Sequence, residues 1–182
     1  MSLIVTPGAA NADAMADVDA FDAYCIARGV TNDFMVAAKE AALRVGAQYL
    51  ANQYRDKWVG RRANETQSMP WPRLDGTRGY GCPLTDSDGF DIAIDAIPAQ
   101  IRDANIAAAL LHLQGVTLEP TRLERGGQIK SIGKGVGPLR KDVTYMDGAP
   151  AVDRFVAIEG MLRGLVTGSP GATSGNIRLV RA

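Results

Sequence analysis

The sequence predicts a mainly α-helical fold, about a four-helix bundle, with extended β arms or a hairpin and a C-terminal tail. Three observations predict it. Apolar residues recur at helical spacing in four separate stretches. A little under half of the 182 residues are apolar, many of them alanines, which suit closely approaching helices better than a thick sandwich core. The stretches between are rich in glycine and proline and hold too few apolar residues for cores of their own. The length fits one compact domain with arms. We divide it into a helical domain over 1–168, with a long loop at 55–96 and an arm at 126–146, and a flexible linker with a tail over 169–182.

The elements follow in order. SLIVT (2–6) is a β-prone run closed by Pro7-Gly8. Asp17 is placed to cap a helix over about 17–28, with Val18, Phe21 and Cys25 at helical spacing and Gly29 as its stop. Thr31, Asn32 and Asp33 offer a cap for a second helix over about 33–54. Two apolar stripes run along it: Phe34, Ala38, Ala41, Val45 and Tyr49, then Leu43, Ala47, Leu50 and Tyr54. Two stripes predict cover on two sides, from other helices or from a neighbouring subunit. Glu40 and Arg44 make an i,i+4 pair in the favourable order. Pro70, Pro72, Pro83 and several glycines then forbid regular structure through most of 55–96, and a loop of that length is uncommon unless it is functional.

Pro98 suits the first turn of a third helix, with Ile97, Ile101, Ala104, Ala108 and Leu111 on one face and Gly115 as its stop. The tract 126–146 predicts an extended hairpin or arm. Asp153 is placed to cap a fourth helix, with Phe155, Ile158, Leu162 and Leu165 inward and Gly168 ending it. SPGATSG predicts a linker, and NIRLVRA a strand-prone tail.

Formal net charge is zero, so no global field draws the chain to nucleic acid or membrane. The charges are segregated, however. Asp13, Asp17, Asp19 and Asp22 fall in a segment without bases, as do Asp86, Asp88, Asp91 and Asp95. Bases dominate 54–80 and 119–142. Such surfaces can meet between copies or neutralise each other within one fold. Cys25 and Cys82 form no metal spacing and fit a reducing cytosol. The N-terminus lacks the marks of a signal peptide, and no apolar run is long enough to span a bilayer, so we expect a soluble protein made in a cytoplasm, with no membrane partner.

GGQIKSIGKGVGP is the most distinctive stretch. A P-loop requires GxxxxGK[ST] between a strand and a helix, but here Lys134 precedes Gly135 and no helix follows. Gly133-Lys134-Gly135-Val136-Gly137-Pro138 also fails the dinucleotide spacing. The glycines instead strip alternate side chains from an extended strand, which can then lie flat on another backbone. DSDGFD has its glycine too early for a calcium loop and reads as an Asx turn. The single histidine, His112, falls in an alanine- and leucine-rich helix and reads as a packed or edge residue. No GxSxG elbow exists. The residues make no case for an enzyme, a cofactor or a metal.

YRDKWVGRR and MPWPR interleave Trp58 and Trp71 with Arg61, Arg62 and Arg73. Single-strand binders stack bases on aromatics beside a basic groove, so these five are stacking and phosphate candidates. The competing reading, which we favour, has both tryptophans pinning the loop onto the helices.

Several stretches together resemble one family of tailed-phage proteins. They are LIVTPG with DVDAFDAYCIARG, AAKEAALRVGAQYLANQYRDKWVGRR with QSMPWPR, DAIPAQIRDANIAAALL, and ERGGQIKSIGKGVGPLRKDVTYMDGAP. The likeness runs from about residue 2 to 168, and the Trp-Pro-Arg loop and glycine-rich arm are its most specific parts. Lys134-Gly135 lengthen the arm, and the 169–182 tail matches nothing in the family. The resemblance implies two readings. Members carry a label of similarity to the primosomal DnaT single-stranded DNA-binding protein. The family is also similar to head–tail connector (adaptor) proteins of the phage neck, helical subunits that form a dodecameric ring beneath the portal.

The second reading implies a homo-oligomeric ring, a portal partner, a stopper or tail-terminator partner, and duplex DNA passing through the lumen without sequence readout. It places the protein in the virion neck, after assembly in the host cytoplasm. On it, Lys130, Lys134, Arg140 and Lys141, with Arg122 and Arg125, are candidates for partner carboxylates or lumen DNA. Zero net charge favours this reading over a dedicated strand binder, which more often has a basic excess.

Overall fold

Asp17 starts the first helix as its side chain allows: Oδ1 accepts the Ala20 N–H at 2.7 Å. The computed structural model describes residues 2–79, 81–86, 88–119, 131–136, 139–144 and 155–167, with 131–136 and 139–144 described by their backbone. Among these residues there are four helices: α1 (Val18–Ala27), α2 (Val36–Gln53), α3 (Ala99–Leu113) and α4 (Val156–Met161). Two antiparallel ribbons join them, β1 (Arg61–Arg62) with β2 (Arg73–Leu74) and β3 (Ser131–Val136) with β4 (Leu139–Thr144). No helix among the described residues is long and apolar enough to cross a membrane.

α2 and α3 make the main helix–helix contact, and α1 and α4 pack beside them. The approach is close because Gly46 has no side chain. A Cβ there would lie 2.8 Å from the Asn105 carbonyl oxygen and 3.0 Å from the Ala109 nitrogen. Asn105, wholly buried, stitches three segments. Its Oδ1 accepts the Met15 N–H at 3.0 Å and its Nδ2 donates to the Leu43 carbonyl at 3.0 Å. Leu43, Leu50, Ile101, Ile106, Phe21 and Met15 fill the space between. Burying each such side chain contributes about 1.5–3 kcal/mol.

The helix stops at Gly29 and Gly115 are where the sequence puts them, both at positive φ. Other expectations are corrected. The second helix starts at Val36, not near Thr31–Asp33; Met35 holds the cap position without a side-chain bond, because Asn32 instead donates to Asp22. The buried residues of α2 are Lys39, Ala42, Leu43, Gly46, Ala47, Tyr49 and Leu50, so the second stripe is covered throughout, while the stripe through Ala41 is covered only at its end, where Tyr49 is buried against Phe155 and Ala41 itself is exposed. The cap of α4 falls on Phe155 rather than Asp153, and the helix ends at Met161. Asp153, Gly168 and the 169–182 segment lie outside the described residues. SLIVT forms no strand. It runs extended against 12–14, where Ile4 N–H donates to Asp13 Oδ1 at 2.8 Å and Asp13 N–H returns to the Ile4 carbonyl at 2.8 Å. DSDGFD folds as the expected Asx turn, with Asp86 Oδ1 accepting the Asp88 and Phe90 N–H groups.

Candidate functional site

The loop after α2 carries the chemistry that the sequence singles out, and it is built without a long backbone ladder. An aromatic chain anchors it. Tyr54, at the end of α2, packs on Trp58 with ring centroids 5.6 Å apart, and Trp58 meets Trp71 edge-to-face at 6.2 Å. Trp71 is 0% exposed and Trp58 6%. In this conformation neither indole presents a face on which a base could stack. Residues after α4 close the other side of Trp58. Val59 N–H donates to the Leu165 carbonyl at 3.2 Å, and Thr167 N–H to the Lys57 carbonyl at 2.6 Å.

Polar side chains satisfy the loop's backbone. Arg73 donates to three carbonyls: Nε to Val59 at 2.6 Å, Nη1 to Pro70 at 3.2 Å and Nη2 to Gly60 at 2.6 Å. Arg62 Nη1 donates to the Gln67 carbonyl at 2.9 Å. Gln67, buried, donates to the Met69 and Pro72 carbonyls and accepts the Asn64 N–H. Gly60 must be glycine, since a Cβ would meet the Leu74 carbonyl oxygen and its φ is +66°. The Trp71–Pro72 bond is cis.

These residues enclose an open cleft of about 610 Å³, between the C-terminal end of α2 and the loop. Arg55, Arg61, Arg62 and Arg73 line it, against one carboxylate, Asp56, with Trp58, Met69 and Pro70 as apolar wall. Arg62 and Arg73 face each other in the β1–β2 register. Burial first, and then the Arg62 charge, push the Arg73 guanidinium below its usual pKa. Arg55 and Arg62 are exposed, and neither they nor Arg73 form an ion pair with a described residue. The Nε1–H groups of Trp58 and Trp71 are buried without an acceptor, although buried indoles usually find one.

The structure therefore gathers all five loop candidates. Trp58, Arg61, Arg62 and Arg73 line one cleft and Trp71 stands behind it. It adds Arg55 and Asn52 from the end of α2, and Gln67. The signal for Gln67 was weak: one amide in a proline-rich loop. His112 is exposed on α3, and among the described residues no group of His, Cys, Asp or Glu could hold a metal ion. Both cysteines are free.

The second set of candidates belongs to the arm. β3 and β4 pair antiparallel, with Gly133 opposite Asp142, Lys134 opposite Lys141 and Gly135 opposite Arg140. Among the described elements these strands contact each other and no helix. Arg122, Arg125 and Lys130 lie outside the described residues.

No curated protein and no solved structure matches the chain. A family model described as "Putative DnaT-like ssDNA binding protein" matches residues 1–182, end to end, so the likeness does not stop near residue 168 but includes the 169–182 tail, and the chain belongs to that family.

Proposed function

We propose that the chain is a non-catalytic structural subunit of a tailed-phage neck, which assembles into an adaptor ring between the portal and a stopper or tail-terminator protein. The observation that carries this reading is the β3–β4 hairpin, whose strands pair only with each other among the described elements. A lone two-stranded hairpin is marginal in water. Its glycines leave backbone open for strand addition to a partner's sheet, which yields main-chain hydrogen bonds with little demand on side chains. The four helices form the body, as a bundle, and the ring encloses duplex DNA without reading it. Its place is the virion neck, after assembly in the host cytoplasm, and it needs no cofactor. Lys134, Arg140 and Lys141 belong to the contact arm.

The test is assembly. The full chain mixed with portal protein is expected to give rings by electron microscopy and to occur in purified particles. Deleting 131–144 is expected to abolish the rings while leaving the helical circular dichroism intact. Absence from particles, or undiminished assembly by the deleted chain, overturns the reading.

The arginine cleft and the family's description favour a second reading, single-stranded DNA binding through Arg55, Arg61 and Arg62. It predicts oligonucleotide affinity that falls with salt by about 0.7 log units per log unit for each phosphate contacted. No binding at low salt ends it.

A further inference from the structure

We infer that the acidic turn that carries Asp88, Phe90 and Asp91 of one copy seats in the arginine cleft of the next copy, making a head-to-tail contact. The inference rests on the assembly reading above and names the surfaces that meet.

The cleft calls for an anionic occupant. Four arginines face one carboxylate, and Arg62 and Arg73 turn to backbone carbonyls without meeting an acid. Trp58, part of its wall, holds a buried Nε1–H with no acceptor. The turn has the matching chemistry. Asp86 is spent on folding it, through the N–H groups of Asp88 and Phe90. Asp88, Phe90 and Asp91 are left exposed, Phe90 at 72%. Asp88 forms no ion pair with a described residue, and Asp91 only a 3.4 Å one with Arg78. A phenyl ring held in water between carboxylates gains free energy on burial. Met69 and Pro70 supply apolar wall beside the arginines. Among the described residues of one chain no ion pair joins Arg55, Arg62 or Arg73 to the turn. A nucleic-acid occupant fits less well. Both indoles are too buried to stack a base. Because turn and cleft are different patches, the contact is heterologous: it propagates, and closes to a ring when the rotation allows.

The test uses the full chain and sedimentation velocity. Self-association is expected at low salt and is expected to weaken toward about 1 M salt, where the Debye length is about 3 Å. Arg55→Glu alters the cleft and spares Arg61, Arg62 and Arg73, which have partners of their own. Asp88→Ser/Phe90→Ser alters the turn and spares Asp86. Each variant is expected to lose at least about tenfold in self-association. Mixed together, the two are expected to form one-to-one pairs that cannot extend, because one intact turn meets one intact cleft. That pairing also shows that both variants fold. Variants that assemble like the parent overturn this contact and leave the adaptor reading standing. Lost oligonucleotide binding with unchanged self-association in the cleft variant assigns the cleft to nucleic acid instead. A chain that stays monomeric at low salt overturns both this contact and a self-assembling ring.

Discussion

The α2–α3 pair and the loop 55–74 bury their backbones by opposite means. The helices satisfy their own carbonyls, so their interface is free to use small residues, a glycine at the crossing and one buried amide, Asn105. The loop has only a two-residue ladder, so its carbonyls are capped from side chains: three by Arg73, one by Arg62 and two by Gln67. Where regular structure is missing, buried backbone still needs donors. Arginines that read from sequence as ligand-binding groups are partly consumed in that role. Arg55, exposed and in no ion pair with a described residue, lines the cleft beside them.

The comparison breaks if the loop is a detachable appendage. Trp71 tests this with the largest effect. It is fully buried, and its cluster is continuous with Leu43, Leu50 and Ile101 of the helices. Trp71→Ala is expected to cost about 3–5 kcal/mol in chemical denaturation, in a single cooperative transition. Hydrogen exchange gives the contrary outcome. If only amides in 55–74 lose protection while α2 and α3 keep theirs, loop and helices are separate units.

The helical side yields a smaller, sharper number. Gly46→Ala places a methyl against the Asn105 carbonyl and the Ala109 nitrogen, backbone that cannot yield without moving α3. Overpacking of this kind costs about 1–3 kcal/mol. Gly160→Ala, in α4, is the control: no atom lies within 4 Å of its Cβ position, and it is expected to be neutral or slightly stabilising. Equal thermal midpoints for the two variants would show that α2 and α3 are not in contact at Gly46.

The helices were legible because their signals are local. Asp17 accepts the Ala20 N–H three residues on, and Gly29 and Gly115 supply the positive φ that ends a helix. What periodicity could not supply was partner identity. Ala41 shares the helical spacing of buried Tyr49 yet is exposed, while Lys39, a charge, turns in because Asp22 waits for it across α1. The candidate site divides the same way. Tryptophans beside arginines marked the loop that lines the cleft. Burial of Trp71 and the triple carbonyl contact of Arg73 depend on residues up to 14 positions away and on the helices behind them. No local pattern encodes that. Asn105, which joins residues 90 and 62 positions distant, left as its sole trace one amide in an apolar run.

Lys39 and Asp22 join α1 to α2 through side chains, and they give the smallest prediction. Lys39 Nζ donates to Asp22 Oδ1 at 2.8 Å, and the Asn32 amide donates to the same oxygen. The Lys39 bond first, and the Asn32 bond next, hold the Asp22 carboxyl below its ordinary value of 3.8. A carboxylate whose folded pKa is depressed contributes stability above its unfolded pKa and loses that contribution as pH falls through the folded value. The parent is therefore expected to lose stability from about pH 4 downward. Asp22→Asn is expected to be weaker near neutral pH and flatter across the acid range, so that the two curves converge. Solvent limits the size, because the Asp22 side chain is 38% exposed. Lys39, at 6%, is not so screened, and without Asp22 its ammonium is left buried with no carboxylate beside it. Urea midpoints measured near neutrality and in acid decide the matter: parallel curves would mean that the ammonium finds enough water to stand alone, and that α1 and α2 are joined by packing, as α2 and α3 are.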